Sequence, residues 1–106
     1  MDKVVIDKMI SLLKEPWLPL DIFKVNSTIV RLVKIKGKYH WHKHQNQDEL
    51  FIILKGQLII NLEDTRITLE EGEGYVVKKG IVHQTESKGE TVVMLVEPKD
   101  IVTRGD

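Results

Sequence analysis

The stretch "YHWHKHQNQDELFIILKG", residues 39–56, carries three of the chain's four histidines. They alternate as His40, His42 and His44. Asp48 and Glu49 follow, then five apolar residues, a lysine and a glycine. In an extended strand, residues two apart share a face. The three imidazoles are therefore expected to point one way, and Tyr39, Trp41 and Lys43 the other. Glu49 opens the next run, in which Glu49, Phe51 and Ile53 share a face. A turn around residues 45–48 sets Glu49 opposite the histidines. Two imidazoles and one carboxylate from neighbouring strands, with open positions opposite, form the facial arrangement used for non-haem iron and related divalent ions. The fourth histidine, His83 in "KKGIVHQTES", follows a glycine turn, where a strand could carry it across a barrel to close the site.

Outward from that stretch, short β-branched and apolar runs follow one another from residue 21: "LDIFKV", "TIVRLVKI", "QLIINL", "TRITL", "GYVVK", "IVHQT" and "TVVMLVE". Turn signals separate them, among them Asn26-Ser27, Lys55-Gly56, Gly72-Glu73-Gly74 and Lys88-Gly89. Many short strands at even spacing predict an all-β sandwich or barrel rather than alternating βα units. Ahead of them, Val5, Met9, Leu12 and Leu13, with Ile6 and Ile10 beside them, recur at spacings of three and four and predict one amphipathic helix. Asp2 is its expected cap, and Pro16 and Pro19 end it. The division is one domain over 1–106: helix and connector over 1–16, barrel over 21–98, tail over 99–106. Two runs, "LFIIL" and "VVMLV", are apolar without alternation, which predicts burial on both faces. A dimer, with the helix packing across, is the expected cover.

Length and composition narrow the function. One hundred and six residues with 42% hydrophobic and 30% charged side chains make one globular domain. Sixteen basic residues balance sixteen acidic ones, which removes the electrostatic footprint of a nucleic-acid binder and argues against a membrane surface. With no cysteine, thiolate ligands, disulfides and cysteine nucleophiles are excluded, and a cytoplasmic location is expected. The opening "MDKVVIDKMISLL" does not read as a secretory signal, because Asp7 and Lys8 interrupt its apolar run. There is no P-loop and no Gly-x-Ser-x-Gly, and "GEGYVV" lacks the third glycine of a dinucleotide fingerprint.

These residues resemble the cupin superfamily, the small jelly-roll barrels. Its first motif runs glycine, His-x-His, three or four residues, glutamate, six residues, glycine. Here Gly37, His42-Lys43-His44, four residues, Glu49, six residues and Gly56 match it. The second motif is matched by Gly72, five residues, Lys78-Lys79-Gly80, two residues, His83, three residues and Ser87. The resemblance spans residues 25–98 and is strongest to the single-domain cupins described as mannose-6-phosphate isomerase-like. It implies an all-β cupin-type jelly-roll barrel and selects His42, His44, Glu49 and His83 as ligands of one divalent ion (Fe, Mn, Ni, Cu or Zn). Three departures stand out. Four residues instead of five separate Gly37 from His42, Lys78 replaces the proline that fixes φ before the last ligand, and Ser87 replaces an asparagine.

His40 is additional to the motif and is the single residue put forward as catalytic, as a substrate contact or a hydrogen-bond partner behind a ligand. Because Lys34, Lys36 and Lys38 share parity with His40, Gly37 is expected to break the strand register. Trp17 and Tyr39 read as packing residues, Trp41 as core or interface, and Arg104-Gly105-Asp106 as a frayed tail. Adjacent Asp48 and Glu49 point to opposite faces and cannot form an acid–base pair. The expected partners are a small polar molecule, acted on in a dioxygenase- or isomerase-like way, and a second copy of the chain. A binding module whose metal is mainly structural is the alternative.

Overall fold

Strand pairing organises this protein around one long strand. The computed structural model describes residues 3–101 and 105. The elements are α1 (Ile6–Ile10), β1 (Leu20–Val25), β2 (Thr28–Lys38), β3 (Glu49–Lys55), β4 (Leu58–Leu62), β5 (Arg66–Leu69), β6 (Gly74–Val77) and β7 (His83–Pro98). The hydrogen-bonded order is β1-β2-β7-β3-β6, with β4 pairing β5 and β7. The first residues of β7, His83 to Glu86, pair β4, and its later residues pair both β2 and β3. A single strand thus serves both layers of the jelly roll.

β7 turns between the layers near Gly89. Ser87 Oγ, which stands where the family has asparagine, lies 2.6 Å from Thr91 Oγ1 and donates to the Gly89 carbonyl at 2.7 Å. Thr91 Oγ1 in turn donates to the Gln57 carbonyl at 2.7 Å. Buried hydroxyls here satisfy carbonyls that the bend takes out of the ladder.

Alternation along the strands builds the core. Val33 and Ile35 of β2, Phe51 and Ile53 of β3, Leu58 and Ile60 of β4, and Val93 of β7 all point inward and are buried together. The alternate residues of the same strands face out. There Leu32 and Val92, with Leu54 and Met94 beside them, pack against Leu13, Ile6, Met9 and Ile10. The two uniformly apolar runs are therefore explained in part within the chain: the inner face is barrel core and part of the outer face lies under the N-terminal segment.

That segment differs from the sequence expectation. The helix is five residues long, and its cap position is Val5, with no side-chain cap; Asp2 lies outside the described residues. Val5 and Leu12 are exposed, and Ile6, Met9, Ile10 and Leu13 form the packed stripe instead. Several β-branched residues and an uncapped start disfavour a longer helix, so docking on the sheet sets its extent.

Gly37 breaks the register as expected. It sits at φ +84°, and the β2–β7 pairing shifts between Ile35 and Gly37. Lys36 and Lys38 are exposed as a result. The connector before β1 holds a less common feature: Trp17 has φ +70°. A bulky side chain in the left-handed region costs about 1–3 kcal/mol. Its N–H donates to the Lys34 carbonyl at 2.8 Å, which ties the connector to β2.

Candidate metal centre

The histidines do not lie on a regular strand. After the break at Gly37, only His42 of residues 39–48 enters a bridge, with His83. Reciprocal backbone bonds make it, His42 N–H to the His83 carbonyl at 3.0 Å and the reverse at 2.9 Å. Strand parity therefore fails over this stretch, and with it the expectation that Tyr39 points away from the metal face. Tyr39 lines the same cavity as His42, while Trp41 is 47% exposed.

Four side chains converge nonetheless. His42, His44, Glu49 and His83 each offer a ligand atom, all within 4.8 Å of one another. His44 Nε2 is 3.5 Å and His83 Nε2 3.9 Å from Glu49 Oε1. Atoms each about 2.1 Å from one ion lie about 3 to 3.5 Å apart in octahedral or tetrahedral geometry, so slight side-chain rotation suffices. Glu49 is in place because it begins β3 opposite Val77.

The tautomers follow from backbone acceptors. His42 Nδ1 is 3.0 Å from the His40 carbonyl and His83 Nδ1 is 2.9 Å from the Ile81 carbonyl. A carbonyl only accepts, so both Nδ1 atoms carry the proton and both Nε2 atoms keep a free lone pair. His83 Nε2 is buried without a hydrogen-bond partner among the described residues, an expensive condition for a polar atom unless a cation takes the lone pair. Three imidazoles and a carboxylate, two of the rings pre-set by carbonyls, are a donor set that fits a divalent transition ion.

The turn that presents His83 is held without the missing proline. Lys79 N–H donates to Asp48 Oδ1 at 2.9 Å, Lys78 Nζ lies 3.7 Å from Asp48 Oδ2, and Gly80 N–H donates to the His44 carbonyl at 2.8 Å. Adjacent Asp48 and Glu49 thus work on opposite sides of the backbone, one anchoring the turn and one inside.

Electrostatics favour ligation. Burial, helped by the charges of His83 and His44, lowers His42 to about 4 against the His40 carbonyl. Burial also lowers His83, opposed by the Ile81 carbonyl and Glu49. Both rings are neutral at pH 7, the form that binds metal. Burial pushes the Glu49 carboxyl up, but hydrogen bonds from His44 and Glu97 and the nearby histidines outweigh it and hold it below its ordinary value.

Glu97 was not singled out in the sequence. Burial, then the hydrogen bond to Glu49 and that group's charge, pushes it up to about 9, against the attraction of Arg31. The two carboxyls thus keep one proton between them at neutral pH, on Glu97. Arg31 Nη1 is 3.1 Å from Glu97 Oε1, and its Nε is 3.0 Å from Asp21 Oδ1. A faint signal existed: Arg31 shares parity with Val33 and Ile35, and Glu97 with Val93 and Leu95, which places charges at inward positions of apolar strands.

These groups border a cavity of about 70 Å³. Its polar side is His42, Glu49, Arg31, Glu97 and Thr85. Its remaining wall is apolar, built from Val33, Ile35, Phe51 and Leu95 with Trp17, Pro19 and Tyr39. Trp17 packs against the core as read from sequence, and both it and Tyr39 also line the cavity. His40 is outside the four-residue set; its ring lies tilted beside Tyr39, centroids 4.2 Å apart, and its carbonyl orients His42. Gly105 packs against Lys43 and His42, so this part of the tail is seated rather than frayed; Arg104 and Asp106 lie outside the described residues.

Comparison with known proteins agrees with this geometry. A family model described as Cupin domain matches residues 30–97. An uncharacterized Bacillus subtilis protein, YdbB, is 40% identical over 91 residues, covering 85% of this chain and 80% of that one. The crystal structure of a cupin-2 domain containing protein from Shewanella frigidimarina superposes with a TM-score of 0.88 at 38% identity, over 90% of this chain and 93% of that one. A Neisseria meningitidis protein gives 0.84 at 28% identity, over 92% and 99%. Family match, shared barrel and the His/His/Glu/His cluster agree, and the chain belongs to the cupin domain family.

Proposed function

We propose that this cupin is a mononuclear divalent-metal protein, with His42, His44, Glu49 and His83 as ligands, that binds a small molecule in the cavity beside the ion. The observation that carries this reading is that His42 and Glu49 belong both to the ligand cluster and to the cavity wall. A molecule in that cavity would lie beside an ion held by those residues. A bound divalent ion supplies Lewis acidity toward a ligand oxygen and, as iron or copper, access to oxygen chemistry. The chain's residues supply the rest: backbone carbonyls orient the imidazoles, mostly apolar walls line the cavity, and Glu97 holds a proton next to Glu49. Glu97 would act as the general acid in an isomerase-like shift whose base the substrate or a bound water would have to supply, while the apolar walls suit dioxygenation.

Phosphosugar isomerisation has weaker support. Arg31 is the one cation of the cavity among the described residues, and Asp21 and Glu97 already engage it. The alternative of a mainly structural metal is less favoured, because a structural site is closed and the cluster here opens on a cavity. The lack of cysteine keeps the cytoplasm as the proposed location.

The test is metal analysis of protein purified without an affinity tag. Wild type is expected to hold one equivalent, and the double variant His42→Ala/His44→Ala none; undiminished metal in the double variant would overturn the assignment. We also propose the His40 ring, set beside the rings of Tyr39 and His42, as a positioning residue for the ligand. Its alanine variant is expected to retain metal and bind ligand differently, whereas loss of the metal would make it a ligand instead.

A further inference from the structure

Trp17 combines three features that a packing anchor does not need. Its backbone is held at φ +70° between Pro16 and Leu18, a conformation that the local sequence resists. Its N–H is pinned to β2 through the Lys34 carbonyl. Its indole stays half-buried: it packs against the barrel core and also lines the cavity, so part of the ring is left for a ligand. Backbone strain at a ring facing a cavity is the pattern seen where a side chain is placed for a ligand.

The indole does not stand alone. It stacks on Tyr39 at 5.0 Å between centroids, with the planes 25° apart. The Tyr39 ring in turn lies 5.3 Å from His42, edge on. On the other side Phe51 stands 6.4 Å from His83, also edge on. Each of these two histidines therefore has an aromatic neighbour that also lines the cavity. A ligand bound at the ion and lying in the cavity passes along a wall made of rings. The cavity volume, about 70 Å³, is room for roughly five to seven water-sized groups. Inside the cavity that is room for the body of one ring.

We propose that Trp17, with Tyr39, is the specificity-determining wall of this site, selecting a planar single-ring ligand that presents oxygen donors to the metal. This inference rests on the metal-and-cavity reading above and adds the ligand class to it. Quadrupolar rings prefer other planar rings in offset or edge contact over saturated groups of equal bulk. A sugar or a short aliphatic acid would gain burial and dispersion against this wall but not the added ring–ring term.

The test uses three hydroxamic acids with the same chelating head: benzohydroxamate, its saturated analogue cyclohexanecarbohydroxamate, and acetohydroxamate. The full chain carries Trp41→Phe, an exposed position, so that Trp17 is the sole indole, and is loaded with Zn(II). Benzohydroxamate is expected to shift Trp17 emission and to bind about fivefold more tightly than the saturated ring. Affinities of the parent and of both variants are read by titration calorimetry, which needs no indole: Trp17→Leu is expected to remove that preference while changing acetohydroxamate affinity less than twofold, and Trp17→Phe to keep most of it. Equal affinity for the planar and saturated rings would overturn the inference, and that comparison needs no variant at Trp17. So would a Trp17→Leu protein that retains Zn(II) and the full planar preference. Failure of the parent to take up Zn(II) at all would instead bring down the metal reading, and this inference with it.

Discussion

Glu97 and Arg31 show how a single residue escapes sequence reading. Each is an ordinary charged side chain, Arg31 inside an apolar run and Glu97 at the end of one, and only its strand parity hints that it faces inward. Once inside, Glu97 meets Glu49, and burial with that neighbour raises its pKa to about 9. The consequence for metal-free protein has a definite sign. A carboxyl whose folded pKa is raised stabilises fully below its ordinary value of 4.5, and that stability is lost as pH rises toward 9. The lowered His42 and His83 act oppositely, but their effect is complete above 6.5. The lowered Glu49 is likewise complete above 4.5. Between pH 7 and 9, Glu97 therefore stands alone among the shifted groups. Metal-free wild type should lose melting temperature across that window, whereas Glu97→Gln, whose amide still donates to Glu49, should stay nearly flat. Equal slopes in thermal melts of the two proteins would remove the shared proton from the account.

At the scale of elements, the turns carry the placement of the site. Gly56 follows β3 at φ +85°, and a Cβ there would lie 2.8 Å from the Glu90 carbonyl oxygen and 2.8 Å from Thr91 Oγ1. Gly72 has a similar φ of +83° but open space around it. The pair separates backbone strain from crowding. Gly56→Ala is expected to cost about 2 to 4 kcal/mol, a fall in melting temperature of roughly 10 to 20 °C for a domain this size. Gly72→Ala should cost about 1 to 2 kcal/mol. Similar melts for the two variants would show that the contact with β7 is not what fixes Gly56. Elements were also where the sequence reading did well and badly for one reason. Alternation holds wherever a strand is laddered, as in "ELFIILK" and "TIVRLVKI". It fails across residues 39–48, where the ladder has shifted register at Gly37 and ended at Lys38, and parity misplaces Tyr39. The N-terminal stripe was displaced similarly, because docking on Leu32 and Val92, not helical propensity, chose which apolar residues turn inward.

At the scale of the whole molecule, the outer sheet face is only partly covered. The N-terminal segment packs over Leu32, Leu54, Val92 and Met94. Leu50 lies opposite both Val76 and Val96, and these three belong to neither core cluster. Val76 is 38% exposed. With a net charge of zero to oppose association, we propose that a second copy covers this row. Sedimentation at micromolar concentration should give a dimer for wild type and a monomer for Val76→Glu; a wild-type monomer would refute it. The sequence by itself determined the strand-rich class, the inward-facing apolar set and the spacing of His42, His44, Glu49 and His83, since periodicity and intervals between residues are written along the chain. The tertiary structure alone decided that Arg31, Glu97, Trp17 and Tyr39 share a cavity with His42 and Glu49. They come from a connector, a loop and two strands far apart in sequence, and no local pattern encodes a meeting that only closure of the barrel brings about.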